Sequence, residues 1–327
     1  MPIVDPSPYR PPRGLWGGHL QTIYPALFRK VGQVTSCRER LEIPDGDFLD
    51  LDWKISGGSS RLAVISHGLE GDAGNTCVQG MAAALHGRGW DILAWNFRGC
   101  SREPNRLLRS YHSGETGDLQ VVISHALATG RYERVDLIGF SLGGNMTLKY
   151  LGDGGRDVDR RIVSAVAFSV PCDLASSSRQ LEKFANRIYM RRFLVGLRKK
   201  IREKMRQFPG ELLDHGLDRM RTFQEFDGAY TAPLHGFLSA EDYWQRASCR
   251  PVLSGITIPA LMVNARNDPF LAPACFPFKE AERSPFFYFE APADGGHVGF
   301  VSFNKQNRYW SETRALEFLE GADTLAP

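Results

Sequence analysis

Apolar residues recur along this chain in two rhythms. Residues 49–53 (Leu-Asp-Leu-Asp-Trp) alternate apolar and polar, as a half-buried strand does. Residues 62–65 (Leu-Ala-Val-Ile) and 92–95 (Ile-Leu-Ala-Trp) are short unbroken apolar runs of the kind that buried parallel strands show. Between those runs, residues 77–86 are rich in Ala, Met and Leu and predict a crossover helix. The beat continues with a helix over 117–128, a strand over 135–139, a helix over 144–151 and a strand over 163–170. From 173 to about 250 it stops, and the chain becomes charged and mostly helical. It resumes with strands over 256–263 and 286–290 and closes on a helix over 307–319. Strands alternating with helices imply a parallel sheet covered on both faces. The expectation is one doubly wound, mostly parallel α/β domain spanning residues 1–327, with a Pro- and Gly-rich arm over about 1–30 and a helical cap inserted over about 173–250.

Composition narrows the function classes. With 43% hydrophobic and 24% charged residues the chain can bury a sizeable core. Forty basic against 37 acidic residues give a net charge of only +3, too little for a molecule-wide nucleic-acid surface. The six cysteines are scattered, without a C-x-x-C pair or neighbouring histidines, so neither a zinc site nor a disulfide framework is indicated. The first ten residues lack the charged start and apolar run of a secretory leader, and no stretch of 18 apolar residues occurs, so a soluble cytoplasmic protein is expected.

The chemistry concentrates at residues 139–143, Gly-Phe-Ser-Leu-Gly, a G-x-S-x-G string between a predicted strand and a predicted helix. A serine on so sharp a turn takes a strained backbone conformation that needs room two residues to either side, which Gly139 and Gly143 supply. The string alone arises by chance about 0.2 times in a chain this rich in glycine, so its setting carries the argument. A serine hydroxyl needs a base and an orienting acid, expected in the order Ser, Asp or Glu, His. Of His215, His235 and His297, only His297 follows the last predicted strand, and Asp268 follows the one before it, with Pro269 fixing the turn. Asp173 and Asp294 are weaker rivals for the acid. The oxyanion hole is expected from the backbone N–H groups of Leu142 and Leu69, the latter in Ser66-His67-Gly68-Leu69-Glu70-Gly71, a loop that His67 orders. Side chains and backbone amides suffice for this chemistry, so no cofactor and no metal is expected.

These features resemble one branch of the α/β-hydrolase fold, the YheT-like bacterial hydrolases and their eukaryotic relatives, which include yeast medium-chain ethyl ester esterase/synthases. The residues that carry the resemblance are His19-Leu20-Gln21-Thr22, His67-Gly68-Leu69-Glu70-Gly71, residues 96–106 and 111–116, Gly139 to Gly144, Asn267-Asp268-Pro269 and Gly295-Gly296-His297. It runs nearly end to end and is most specific over 98–116. Arg102 departs from it, standing where a smaller residue belongs. The resemblance implies hydrolysis of carboxylic esters with medium-chain acyl groups, or acyl transfer to alcohols on the same triad. A protein that keeps the fold but only binds ligands is the reading from another class.

Two segments remain. Residues 105–115 combine Arg, His and Glu and read as a polar brace in preference to a loop at the mouth of the site. Residues 191–206 carry eight Lys or Arg against one Glu, with Phe193, Leu194, Leu197, Ile201 and Met205 as one apolar stripe. A cap helix with its stripe on the body and its charges in water is the preferred reading, and docking on anionic lipid the lesser one. The expected partner is a small-molecule acyl ester, with no nucleic acid, no stable membrane insertion, and peripheral lipid contact left open.

Overall fold

In the computed structural model, which describes residues 3–322, the strands are β1 (Ile3–Val4), β2 (Cys37–Glu42), β3 (Phe48–Lys54), β4 (Arg61–Ser66), β5 (Asp91–Trp95), β6 (Arg134–Phe140), β7 (Ile162–Phe168), β8 (Ala260–Val263) and β9 (Phe287–Glu290). They form one sheet in the order β1-β9-β8-β7-β6-β4-β5-β3-β2. Every pairing is parallel except those of β3, which runs antiparallel to both β5 and β2. The helices outside the insertion are α1 (Gly18–Phe28), α2 (Thr76–His86), α3 (Thr116–Ala128) and α4 (Leu142–Gly154). The insertion between β7 and β8 holds α5 (Leu174–Leu181), α6 (Arg187–Gln207), α7 (Phe223–Phe226), α8 (Ala232–Leu234) and α9 (Ala240–Ala247). After β8 come α10 (Phe278–Glu282) and α11 (Trp310–Gly321).

The unbroken apolar runs are explained by burial on both faces. Leu62 and Val64 of β4 enter one core cluster, while Ala63 and Ile65 enter the cluster on the opposite face, as the two-residue side-chain period requires. Leu62, Val64 and Ile65, fully buried, each contribute about 1.5–3 kcal/mol. The cap has its own apolar cluster, built on Leu194, Phe226, Tyr230 and Trp244.

Three expectations need correction. Residues 49–53 are not half-buried, because Asp50 and Asp52 of β3 lie under Arg40 and Arg38 of the edge strand β2, directly opposite them in register. The strand expected over 256–263 begins only at Ala260, after Pro259. The arm is not merely laid on the body: β1 adds a strand beside β9, and α1 is a regular helix.

Residues 105–115, with Arg98 just before them, form a polar brace. Buried Arg98 makes a two-pronged ion pair to Asp118 of α3 and a further one to Asp47, while Asp47 accepts from Asn105 Nδ2 and the Arg106 amide. Ser110 to Ser113, at its end, also face the cavity under the cap, so the segment serves both roles weighed for it. Arg102 has φ 73°, a left-handed conformation that glycine adopts without strain.

Removing a buried charge leaves its partners uncompensated, so Arg98→Met is expected to destabilise the fold by about 3–5 kcal/mol in urea unfolding, against less than about 1 kcal/mol for Arg106→Ala on the surface.

Candidate active site

The C-terminal ends of β4, β6, β8 and β9 all open onto one edge of the sheet, where ligands of open α/β sheets bind. Ser141 sits between β6 and α4 with φ 53° and ψ −117°, and its amide is held by the Phe168 carbonyl of β7 at 2.8 Å. A side chain on Gly139 would come within 2.5 Å of the Gly143 carbonyl and Gly144 Cα. One on Gly143 would overlap the Ser66 and His67 carbonyl oxygens of β4 and its loop. The two glycines therefore allow the turn and let α4 approach the sheet.

His297 Nε2 lies 2.9 Å from Ser141 Oγ, and its Nδ1 lies 2.9 and 3.2 Å from the two oxygens of Asp268. Asp268 is buried and accepts from the Phe270 amide, and the Phe270 ring packs on the imidazole at a centroid distance of 4.1 Å. With Nδ1–H donating a hydrogen bond to the carboxylate, Nε2 is left as the acceptor for the proton of the serine hydroxyl.

The loop bearing His297 has little regular structure and is pinned from outside. Val298 and Phe300 have positive φ values of 56° and 40°, and the Val298 amide donates to Ser169 Oγ. The His297 amide donates to Thr22 Oγ1 of α1 at 2.8 Å, and that hydroxyl donates to the Gly18 carbonyl. Asn267, next to the acid, accepts from the Gly296 amide and donates to Asp294, which also accepts from Gln21 of α1. Gly18 packs against the Asn267 carbonyl so closely that any side chain there would collide with it. The arm helix thus braces the acid loop and the histidine loop together.

On the other side of Ser141, the loop after β4 brings Gly68 against the serine, where an added Cβ would lie 3.3 Å from Ser141 Cβ. His67 Nε2 accepts the Phe97 amide at 3.2 Å, so Nδ1 carries the proton and donates to the Gly68 carbonyl at 2.8 Å. Burial pushes this imidazole down to about 3, against the upward pull of the Gly68 bond, which keeps it neutral. Glu70, at φ 55°, gives its amide to Tyr111 Oη, and its carboxylate receives Tyr111 Oη and Lys200 Nζ of α6. The Gly71 amide goes to the Gly68 carbonyl. Leu69 of this loop lines the same cavity as Ser141 and Leu142, and the Leu142 amide, in the first turn of α4, has no carbonyl one turn earlier to reach.

Ser141 and Leu142 lie in the wall of a cavity of about 120 Å³ roofed by the cap, with Phe193, Leu197 and Ile201 of α6 and Phe223, Phe226 and Trp244 among its apolar lining. One carboxyl group lies within it. Asp227 is bonded to Trp244 Nε1 and Thr231 Oγ1, and burial raises it to about 6 against those two bonds. The charges of α6 are not all in water, as expected for a simple surface helix: Lys204 is buried on the Asn105 and Leu107 carbonyls, and Lys200 reaches Glu70.

The rival acids have other partners. Asp173 caps α5 through the Ser176 amide, and Asp294 serves the clasp just described. His235 bonds two carbonyls, those of Thr231 and Ser110. The brace made by Gln21, Thr22 and Asn267 was not foreseen. Its one sequence signal was the coincidence of His19-Leu20-Gln21-Thr22 and Asn267 among the residues that carried the resemblance. No group of His, Cys, Asp and Glu able to hold a metal occurs among the described residues, and no described helix is long and apolar enough to cross a membrane.

Residues 64–302 match the profile of the alpha/beta hydrolase fold family. The chain is 36% identical over 315 residues to the Escherichia coli K12 protein YheT, whose name gives it an expected esterase activity, covering 94% of this chain and 92% of that one. It is 26% identical to the human phospholipase ABHD3 over 92% of this chain and 75% of that one. A monoacylglycerol lipase of Saccharomyces cerevisiae is 24% identical over 77% of this chain and 57% of that one. Among solved structures, the Pyrococcus furiosus esterase Pf2001 superposes with a TM-score of 0.57 at 16% identity, covering 95% of this chain and 98% of that one, a likeness of fold.

His67 generates a pH prediction. Unfolded, it protonates near 6.5; folded, only near 3. Between those values the unfolded state binds the extra proton, so this part of the stability is intact above pH 6.5 and is lost progressively as pH falls toward 3. Urea unfolding at pH 7.5 and 5.5 is expected to show a smaller loss in His67→Gln than in wild type, whatever the two proteins' stabilities at pH 7.5.

Proposed function

The chain belongs to the YheT-like family of α/β-hydrolases and acts on ester bonds, and from that premise we propose that it cleaves short- to medium-chain acyl esters through an acyl-enzyme on Ser141. The reading rests above all on one observation, the chain of contacts from Ser141 Oγ through His297 Nε2 and Nδ1 to Asp268.

In the proposed reaction Ser141 Oγ attacks the ester carbonyl while its proton passes to His297 Nε2. Asp268 holds the resulting imidazolium, and the Leu69 and Leu142 amides take the negative charge on the carbonyl oxygen. The intermediate collapses with cleavage of the carbonyl–alkoxy bond, and His297 returns the proton to the departing alcohol. Water, deprotonated by His297, then attacks the acyl-serine and releases the acid and the free hydroxyl. The apolar lining under the cap suits an acyl chain, and two relatives carry the names of enzymes that act on lipid esters.

A fluorophosphonate probe is expected to label wild type and not Ser141→Ala, and p-nitrophenyl esters of increasing chain length are expected to give an optimum set by the cavity. Loss of Ser141 or His297 should cost about 10⁴–10⁶ in kcat. An unlabelled, inert wild type would reverse the reading. Free acid and ethyl ester measured together in added ethanol separate hydrolysis from acyl transfer.

Thr22 acts on His297 only through its backbone. Thr22→Val is therefore expected to lower kcat about tenfold with KM little changed, and Thr22→Ser, which keeps the hydroxyl, to restore it.

A further inference from the structure

Helix α1 is built inside out. Its buried positions are Gly18, Gln21 and Pro25, the ones that brace the acid and histidine loops, while Leu20, Ile23, Leu27 and Phe28 face solvent. Trp16, just before it, is 76% exposed. A helix that only braced two loops would carry polar residues on its outer side. Across the cap, Phe184 and Ile188 are 81% and 79% exposed, and the two regions meet where the His19 ring stacks on Tyr189 of α6 and bonds its hydroxyl. Phe303 extends the apolar ground beside Tyr24 of α1.

Charge selects the occupant. Residues 6–38 contain no Asp or Glu, and residues 183–202 contain none among eight Lys or Arg, of which Lys200 and Arg202 pair with Glu70 and Asp218 from elsewhere in the chain. Arg187, Arg191 and Arg192 are exposed beside Ile188. Exposed apolar side chains beside exposed arginines match a bilayer surface bearing anionic headgroups. A symmetric pairing of two copies through this face would set the cations against each other.

The geometry points to an anionic lipid surface as the partner of this face, docked through the outer side of α1 and the N-terminal half of α6. Thr22, on the same helix, holds His297, so the bound bilayer lies about one helix diameter from the nucleophile's base. If the esterase reading stands, the acyl esters cleaved are drawn from a lipid surface, and that consequence rests on that reading.

The test is sedimentation with vesicles of phosphatidylcholine alone or with about one third phosphatidylglycerol, using wild type and Ser141→Ala. Both proteins are expected to bind the phosphatidylglycerol vesicles at least about tenfold more tightly. Leu20→Ser with Ile188→Ser, and Arg191→Glu with Arg192→Glu, are each expected to weaken that binding about tenfold or more. Their melting temperature and turnover of a soluble short-chain ester are expected to stay at wild-type values. Wild type that leaves both vesicle types unbound, or double variants that bind like wild type, would overturn the proposal. So would a dimer in sedimentation velocity that the Leu20/Ile188 variant dissociates, since the face would then belong to a second copy. Because Ser141→Ala binding is read without turnover, failure of docking and failure of ester cleavage stay distinct.

Discussion

Ser141 is held at φ 53°, ψ −117°, a conformation that L-residues rarely occupy and that costs on the order of 1–3 kcal/mol. The surroundings over-determine it. Its amide is bound to β7, glycines stand two residues to either side, and α4 is pressed onto the ends of β4 and β6. The strain places Oγ at the sheet edge, 2.9 Å from His297 Nε2. The loop after β4 is shaped to meet it, with neutral His67 bonded at both ring nitrogens and Glu70 tied to Tyr111 and Lys200. The side of the site proposed to hold the oxyanion is thus shaped by backbone sterics, and the cap helix α6 joins it through Lys200.

The opposite side depends on polar contacts. The loops carrying Asp268 and His297 leave neighbouring strands, and Asn267 and Asp294 join them while α1 covers them. The N-terminal arm therefore belongs to the site as firmly as the sheet does. The same helix, buried on its polar and small residues, leaves its apolar residues outside, so the brace and the exposed apolar face are two sides of one element.

How much of this was legible follows from what each residue had to do. Gly139, Ser141 and Gly143 could be read because a strained elbow needs glycine at fixed spacing, and Asp268 and His297 because strand order constrains where the acid and base emerge. Strand β2, Cys-Arg-Glu-Arg-Leu-Glu, was not legible, since its charges look like a solvated loop until Asp50 and Asp52 are seen across from them. Helix α1 was hidden by Pro25 and by its inverted pattern, in which the apolar residues mark the outside. The burial of Lys204 depends on two carbonyls about a hundred residues earlier, a long-range contact that local periodicity cannot encode.

The central claim is that Ser141 carries the acyl group between two half-reactions. Rapid quenching of wild type during turnover of a p-nitrophenyl ester, followed by peptide mass spectrometry, tests it most directly. The account predicts a burst of p-nitrophenol and an acyl mass increment on the peptide containing Ser141, absent in Ser141→Ala. Turnover with no burst and no adduct, or with the acyl group on another residue, would contradict it.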